Sequence, residues 1–291
     1  MTWKRVATAV VLIPCVVGLV LWGSTAVLAV GLACVILLAL FEYFALGDAI
    51  GHRAYRFWTA TCALGLVYVQ WLAAIAPSYE LAGGLTFHRM IGRVLGIIPT
   101  VQDVFFIFLL GVGALTLWTK RPMVEALPAA GISSSGLILV ALPLTYTIRL
   151  HAIGRDGPKL LMFVLVVTWV GDSAAYFVGR AMGRHPLSPV LSPKKSWEGT
   201  IASILGALLV AMVFARFLMV PLPHLLAMAA VGNLAGQAGD LLESAYKRSA
   251  GVKDSGSLLP GHGGVLDRID ALILAIPVVW YYWIWIYAPN R

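Results

Sequence analysis

The chain has 291 residues, 60% of them hydrophobic and 12% charged, with a mean hydropathy of +0.89. A soluble globular chain carries about 25% charged residues, so this composition excludes an ordinary soluble domain and indicates an all-α polytopic membrane protein whose helices share one bundle. The formal net charge of +8 falls largely in short loops between apolar runs, where topology and anionic ligands explain it better than nucleic acid does, and no nucleic-acid partner is expected.

Nine apolar runs are expected to span, near Val6–Trp22, Thr25–Leu46, Phe57–Ala76, Val104–Thr119, Ala126–Ile148, Leu160–Val178, Thr200–Met219, His224–Leu242 and Ala271–Tyr287. The first has the charged start and apolar middle of a signal peptide, and is expected to remain as a membrane helix. The fourth is short, which suits a small tilt or a partly interfacial position. Between the third and fourth lies the insert Pro77–Asp103, where Met90, Val94, Ile97 and Ile98 recur at helical spacing. An amphipathic helix at 80–100 on the membrane surface fits that pattern. The seventh and eighth runs are separated only by the turn Val220–Pro223. Cys15, Cys34 and Cys62 lie in or beside apolar runs with no metal-ligand spacing, and read as packing residues.

With the N-terminus inside, the inside segments hold Lys4, Arg5, Arg53, Arg56, Lys120, Arg121, Arg180, Arg184, Lys194, Lys195, Lys247, Arg248, Lys253 and Arg268. These are most of the 21 Lys and Arg residues. The bias favours a cytosolic N-terminus and an external C-terminus, with both highly charged loops in the cytosol. The organisation expected is a set of N-terminal membrane helices over 1–159, then catalytic membrane helices over 160–291 with a polar loop at 239–270.

That polar loop, GDLLESAYKRSAGVKDSGSLLPGHGGVLDRID, carries five of the thirteen Asp and Glu residues: Asp240, Glu243, Asp254, Asp267 and Asp270. Acids and bases this dense at membrane-helix ends are expensive unless something binds there. On a helix continuing past Leu242, Asp240, Ser244, Lys247 and Arg248 share one face, with Glu243 beside them. A solvated helix end with i,i+4 pairs is the plainer alternative. Lys253–Gly264 is rich in Gly, Ser and Pro, so it reads as an irregular loop whose backbone amides can approach phosphate oxygens. A plain turn explains its glycines equally well, and His262 serves either as a phosphate donor or as a staple of the loop. Asp267 and Asp270 open the last span at i,i+3, where carboxylates also gain from the helix dipole. Packed together, Asp240, Asp267 and Asp270 would repel one another unless a divalent cation lies between them, and hard oxygen ligands suit Mg²⁺.

Upstream, Asp172 lies within the sixth apolar run, where an acid costs about 3 kcal/mol on insertion scales. A salt bridge or a wet cavity open to the cytosol would explain it. The next loop offers Lys194, Lys195 and Ser196, and Lys is a point-charge partner for phosphates, although topology alone would also account for two lysines. Glu42, in the second span, is either a cavity acid or a packing group. Together these residues describe a cytosol-facing membrane cavity with a divalent metal and a phosphate-rich ligand, which suits phosphoryl or nucleotidyl transfer onto a lipid.

The stretch Ser244–Asp270 resembles the signature of the CDP-diacylglycerol synthases, or phosphatidate cytidylyltransferases, through Lys247-Arg248, Lys253-Asp254, His262-Gly263-Gly264 and Asp267-Arg268-x-Asp270. Gly239–Ser244, Asp172–Tyr176 and Ser192–Gly199 are similar to it as well, while the N-terminal half matches only as generic membrane helices. Tyr246 and Ala202-Ser203 depart from the usual pattern without touching a charged position. The resemblance implies transfer of CMP from CTP to phosphatidate with Mg²⁺, giving CDP-diacylglycerol and pyrophosphate, in a bacterial inner membrane. It implies Asp240, Asp267, Lys247, Arg248 and His262 as catalytic residues. Lys194, Lys195, Ser196, Ser244, Lys253, Arg268 and Asp172 would bind substrate, and Asp240, Asp267 and Asp270 the metal. A second, monovalent cation and a homodimer are left open. The rival readings are a CTP-dependent polyprenol or phytol kinase, which would release no pyrophosphate, and an ion-coupled transporter, for which inverted repeats are expected and none is found.

Overall fold

A computed structural model describes residues 2–81, 99–258 and 263–290. The expected surface helix at 80–100, apart from its ends, and His262 lie outside the described residues. Among the described residues nine long helices follow one another: α1 (Thr2–Trp22), α2 (Thr25–Ala49), α3 (Arg56–Leu81), α4 (Val101–Trp118), α5 (Met123–His151), α6 (Gly157–Met182), α7 (Trp197–Phe214), α8 (Leu222–Ser249) and α9 (Leu266–Tyr287). The eight from α2 to α9 are long and apolar enough to cross a membrane, and Val10–Trp22 is the apolar part of α1. The protein is an all-α integral membrane protein.

Local chemistry explains where the helices begin. Ser24 caps α2, its hydroxyl accepting from the Val27 amide at 3.3 Å. Thr100 and Asp103 form a reciprocal capping box at the start of α4, so Asp103 belongs to that helix rather than to the preceding insert. Helix α5 carries a π-helical segment, Gly136–Ala141, between its two α-helical parts. Pro143 follows it and has no N–H for the carbonyl one turn back, so the ladder widens there.

The segment between α6 and α7, expected as a plain loop, holds a two-stranded antiparallel sheet of β1 (Pro186–Ser188) and β2 (Ser192–Ser196). Pro193 is tolerated because both strands are edges and need not donate on both sides. The seventh run ends as a helix at Phe214 rather than Met219, and the eighth continues to Ser249, well past Leu242.

Two buried apolar clusters organise the bundle. One joins α2, α3, α4 and α5 around Phe44 and Phe108, and also takes in Leu266 and Ile273 of α9. The other joins α1, α6, α7 and α8 around Phe163 and includes Ala275, Ile276 and Val279 of α9. Helix α9 therefore contributes to both, starting in the first and ending in the second. Helix α6 packs along α7, and α8 along α9, which brings the β-hairpin and the loop after α8 to one end of the bundle.

Candidate active site

Helices α8 and α9 cross closely where their acids lie. A Cβ on Gly239 would fall 2.4 Å from the carbonyl oxygen of Asp270, so only glycine allows this approach. Gly171 of α6 also faces α8 closely, where a Cβ would meet the Asn233 side-chain amide nitrogen at 2.2 Å. Asn233 is tied to Ser203 of α7, and Gln237 donates to Asn233 at 2.8 Å. Helices α6, α7 and α8 are thereby fixed beside one another just below the acidic end.

The start of α9 has no side-chain cap of its own, because Val265 stands at that position. Glu42 of α2 supplies the missing acceptor. Its carboxylate accepts from the Val265 amide at 2.9 Å, the Leu266 amide at 2.7 Å and the Ser255 hydroxyl at 3.3 Å. This resolves the choice left open for Glu42: it holds the helix start and the loop before it. Asp267 does related work inside the loop. It accepts from the amides of Ser255 at 3.0 Å and Gly264 at 2.8 Å through one oxygen, and from Lys247 Nζ at 2.6 Å through the other.

Lys247 is buried and lies between Asp267 and Glu243, pairing with both. Glu243 is 4% exposed, and its Oε1 has no hydrogen-bond partner among the described residues. Asp240, Glu243 and Asp270 each present a carboxylate oxygen within 4.8 Å of the others. A buried acceptor without a donor, among carboxylates this close, suits a hard divalent cation. Of the expected trio, Asp240 and Asp270 fall in this carboxylate cluster together with Glu243, while Asp267 is bonded to Lys247 and to the loop amides. The i,i+3 spacing of Asp240 and Glu243 on α8 was the available signal.

A cavity of about 350 Å³ opens on Asp240 and Asp270 of this cluster, with Glu243 behind them. Its walls bring together Asp172, Asp240, Asp267 and Asp270 with Lys194, Lys195, Ser196 and Arg268. Lys195 Nζ reaches Asp240 Oδ2 at 2.5 Å, linking β2 to α8. Ser196 also caps α7, accepting from the Gly199 amide at 3.1 Å. Tyr176, from the Asp172–Tyr176 stretch, lines the cavity too, as do Thr200 and Gln237, which sequence reasoning did not single out. The remaining expected residues stand off this wall. Ser244 lies 3.5 Å from Asp240 Oδ1, Arg248 donates to the Val252 carbonyl at 3.1 Å at the end of α8, and Lys253 is exposed in the loop. The cavity therefore combines carboxylates, which can hold a metal, with cations, which can hold phosphates.

Comparison with known proteins agrees with this chemistry. Residues 3–286 match the cytidylyltransferase family. The chain is 34% identical over 297 residues to a phosphatidate cytidylyltransferase of Haemophilus influenzae, covering 97% of this chain and 99% of the relative. A Bacillus subtilis protein of the same name is 38% identical over 153 residues, 52% of this chain and 57% of that one. One from Staphylococcus epidermidis is 44% identical over 126 residues, 43% of this chain and 48% of the relative.

Proposed function

The chain belongs to the cytidylyltransferase family and is a nucleotidyltransferase, and from that premise we propose that it transfers CMP from CTP to phosphatidate, giving CDP-diacylglycerol and pyrophosphate. The observation that carries this reading is the cavity itself: a carboxylate cluster facing Lys194, Lys195 and Arg268 at the end of a membrane-helix bundle. CTP enters from the aqueous side and the lipid substrate from the bilayer, so the two meet at that level.

The phosphate of phosphatidate is already a nucleophile, and no covalent enzyme intermediate is needed. One of its oxygens bonds to the α-phosphorus of CTP while the bond from that phosphorus to the bridging oxygen of the β-phosphate breaks, and pyrophosphate leaves with the electron pair. Both reactants are anionic and charge builds on the leaving group, so fixed cations lower the barrier by stabilising it where it develops. Lys194, Lys195 and Arg268 are positioned for that task. Asp240, Glu243 and Asp270 would hold Mg²⁺, which when bound screens phosphate charge and polarises the phosphorus under attack. Lys247 holds Asp267 and Glu243 in place, and Asp267 with Glu42 orders the loop that closes the site. Asp172 faces the open cavity from α6 and restrains the cationic wall electrostatically.

The excess of Lys and Arg at these helix ends supports an orientation with the site in the cytosol, and the bacterial relatives support a cell-membrane location. The test is pyrophosphate release by the detergent-purified protein. Release that requires CTP, phosphatidate and Mg²⁺ together, and is lost in Asp240→Asn while the variant stays folded, supports the reaction. Phosphorylation of a lipid alcohol with CDP as product, and no pyrophosphate, would replace it with the kinase reading.

A further inference from the structure

A second cavity, of about 1250 Å³, lies where α2 and α4 end and α3 and α5 begin, and it shares no lining residue with the catalytic one. Alternation of the helices puts it on the same face of the bundle as the β-hairpin and the polar loop. Four cations line it, Arg53, Arg56, Lys120 and Arg121, against Asp48 and Glu125. Asp48 pairs with Arg56, which neutralises one of the four. Arg121 is built into place: its Nη1 donates to the Arg53 carbonyl at 2.6 Å, and its guanidinium lies 5.3 Å over the ring of Tyr55. The side chains of Arg53 and Lys120 are exposed and make no hydrogen bond or ion pair among the described residues.

Beside these cations stand exposed aromatics. Phe57 lines the cavity and is 84% exposed, and Trp118, two residues before Lys120, is 82% exposed. Aromatic rings with cations one turn outward are what the headgroup layer of a bilayer favours. Topological charge explains basic residues at helix ends. It does not require a cavity, nor an arginine held over an aromatic face at its floor.

We propose that this cavity binds the headgroup of an anionic membrane phospholipid, its phosphodiester set against Arg53, Lys120 and Arg121 and its acyl chains running along Phe57 and Trp118. The lipid is a ligand here rather than a substrate, because no carboxylate cluster or metal-holding group among the described residues faces this cavity. Nothing in the assignment depends on which nucleotide the catalytic cavity takes.

The experiment uses the full chain, delipidated in a zwitterionic detergent and titrated with phosphatidylglycerol or phosphatidylcholine, with bound lipid counted by native mass spectrometry. Wild type is expected to retain one phosphatidylglycerol in clear preference to phosphatidylcholine. A cation near the membrane surface contributes roughly fivefold in binding, so Arg53→Gln/Lys120→Gln together should weaken phosphatidylglycerol binding about 30-fold. These side chains hold no partner among the described residues, so the double variant keeps the bundle intact. Asp240→Asn should bind phosphatidylglycerol as wild type does, which separates this cavity from the catalytic one. Equal binding of both lipids by wild type, or unchanged affinity in the double variant, overturns the proposal. Displacement of the lipid by millimolar inorganic phosphate also overturns it, since the cavity would then be a site for free anions.

Discussion

Replacing Glu42 with Gln tests how the candidate site is held, from a residue that does not line its cavity. The carboxylate accepts two backbone N–H groups, of Val265 and Leu266, one on each oxygen. Gln is nearly isosteric but has one acceptor oxygen, so its NH₂ must face one of the two amides. One charge-assisted bond disappears, and a half-buried donor is left opposing another donor. A hydrogen bond to a charged group contributes about 1.5–3 kcal/mol, which corresponds to a factor of about 10 to 150 in a local equilibrium. The first turn of α9 should therefore open that much more often. Hydrogen exchange of the backbone amides in 264–271, measured in detergent, reads this directly as a loss of protection of about 10- to 100-fold. Pyrophosphate release should fall with it, because the same turn carries Asp267 and Asp270, while amides in the middle of α6 keep wild-type protection. Unchanged protection at 264–271 together with unchanged turnover would refute the assignment of Glu42 as the anchor of this helix.

Gly239→Ala places a Cβ 2.4 Å from the Asp270 carbonyl oxygen, so α8 and α9 must separate. The expected cost is about 1–3 kcal/mol, read as a lower thermal midpoint with a parallel loss of activity. Lys195→Met removes the partner 2.5 Å from Asp240 and one phosphate-facing charge, and steady-state kinetics should show KM for CTP raised about 10- to 100-fold. Asp240→Asn should lower kcat by about 10²–10³-fold without changing the thermal midpoint downward. Chelation should abolish turnover and added Mg²⁺ restore it. In Glu243→Gln the Mg²⁺ concentration at half-maximal rate should rise by about tenfold or more, whereas a wild-type Mg²⁺ profile would remove Glu243 from the metal cluster.

The helices were legible because their apolar runs are long and their chemistry is concentrated. Asp240 and Asp270 could be placed together since both sit at facing ends of consecutive runs, and the structure brings their carboxylates into one cluster. The continuation of α8 through Lys247 and Arg248 was likewise readable from the shared face of Asp240, Ser244 and Lys247. The function of Glu42 was not readable, because its partners lie more than two hundred residues away and no local pattern reports such a contact. Glu243 was recognised as a neighbour of Asp240 but not as its companion in the cluster. Which of several closely spaced acids turns inward depends on where Lys247 goes, and Lys247 pairs with Glu243 and Asp267 rather than reaching the cavity. The β-hairpin was hidden by its prolines, which argue against strands anywhere except at an edge.

The bond between Glu42 and the start of α9 also has a temporal side. Helix α2 leaves the ribosome long before α9. For most of synthesis the Glu42 carboxylate sits near the end of a membrane helix without the amides that later satisfy it. Only when α9 inserts do those amides arrive, and the same event delivers Asp267 and Asp270. A nascent chain that still lacks α9 thus carries this acid without its backbone donors, and the arrival of α9 both closes the Glu42 contact and adds Asp270 to Asp240 and Glu243 of α8.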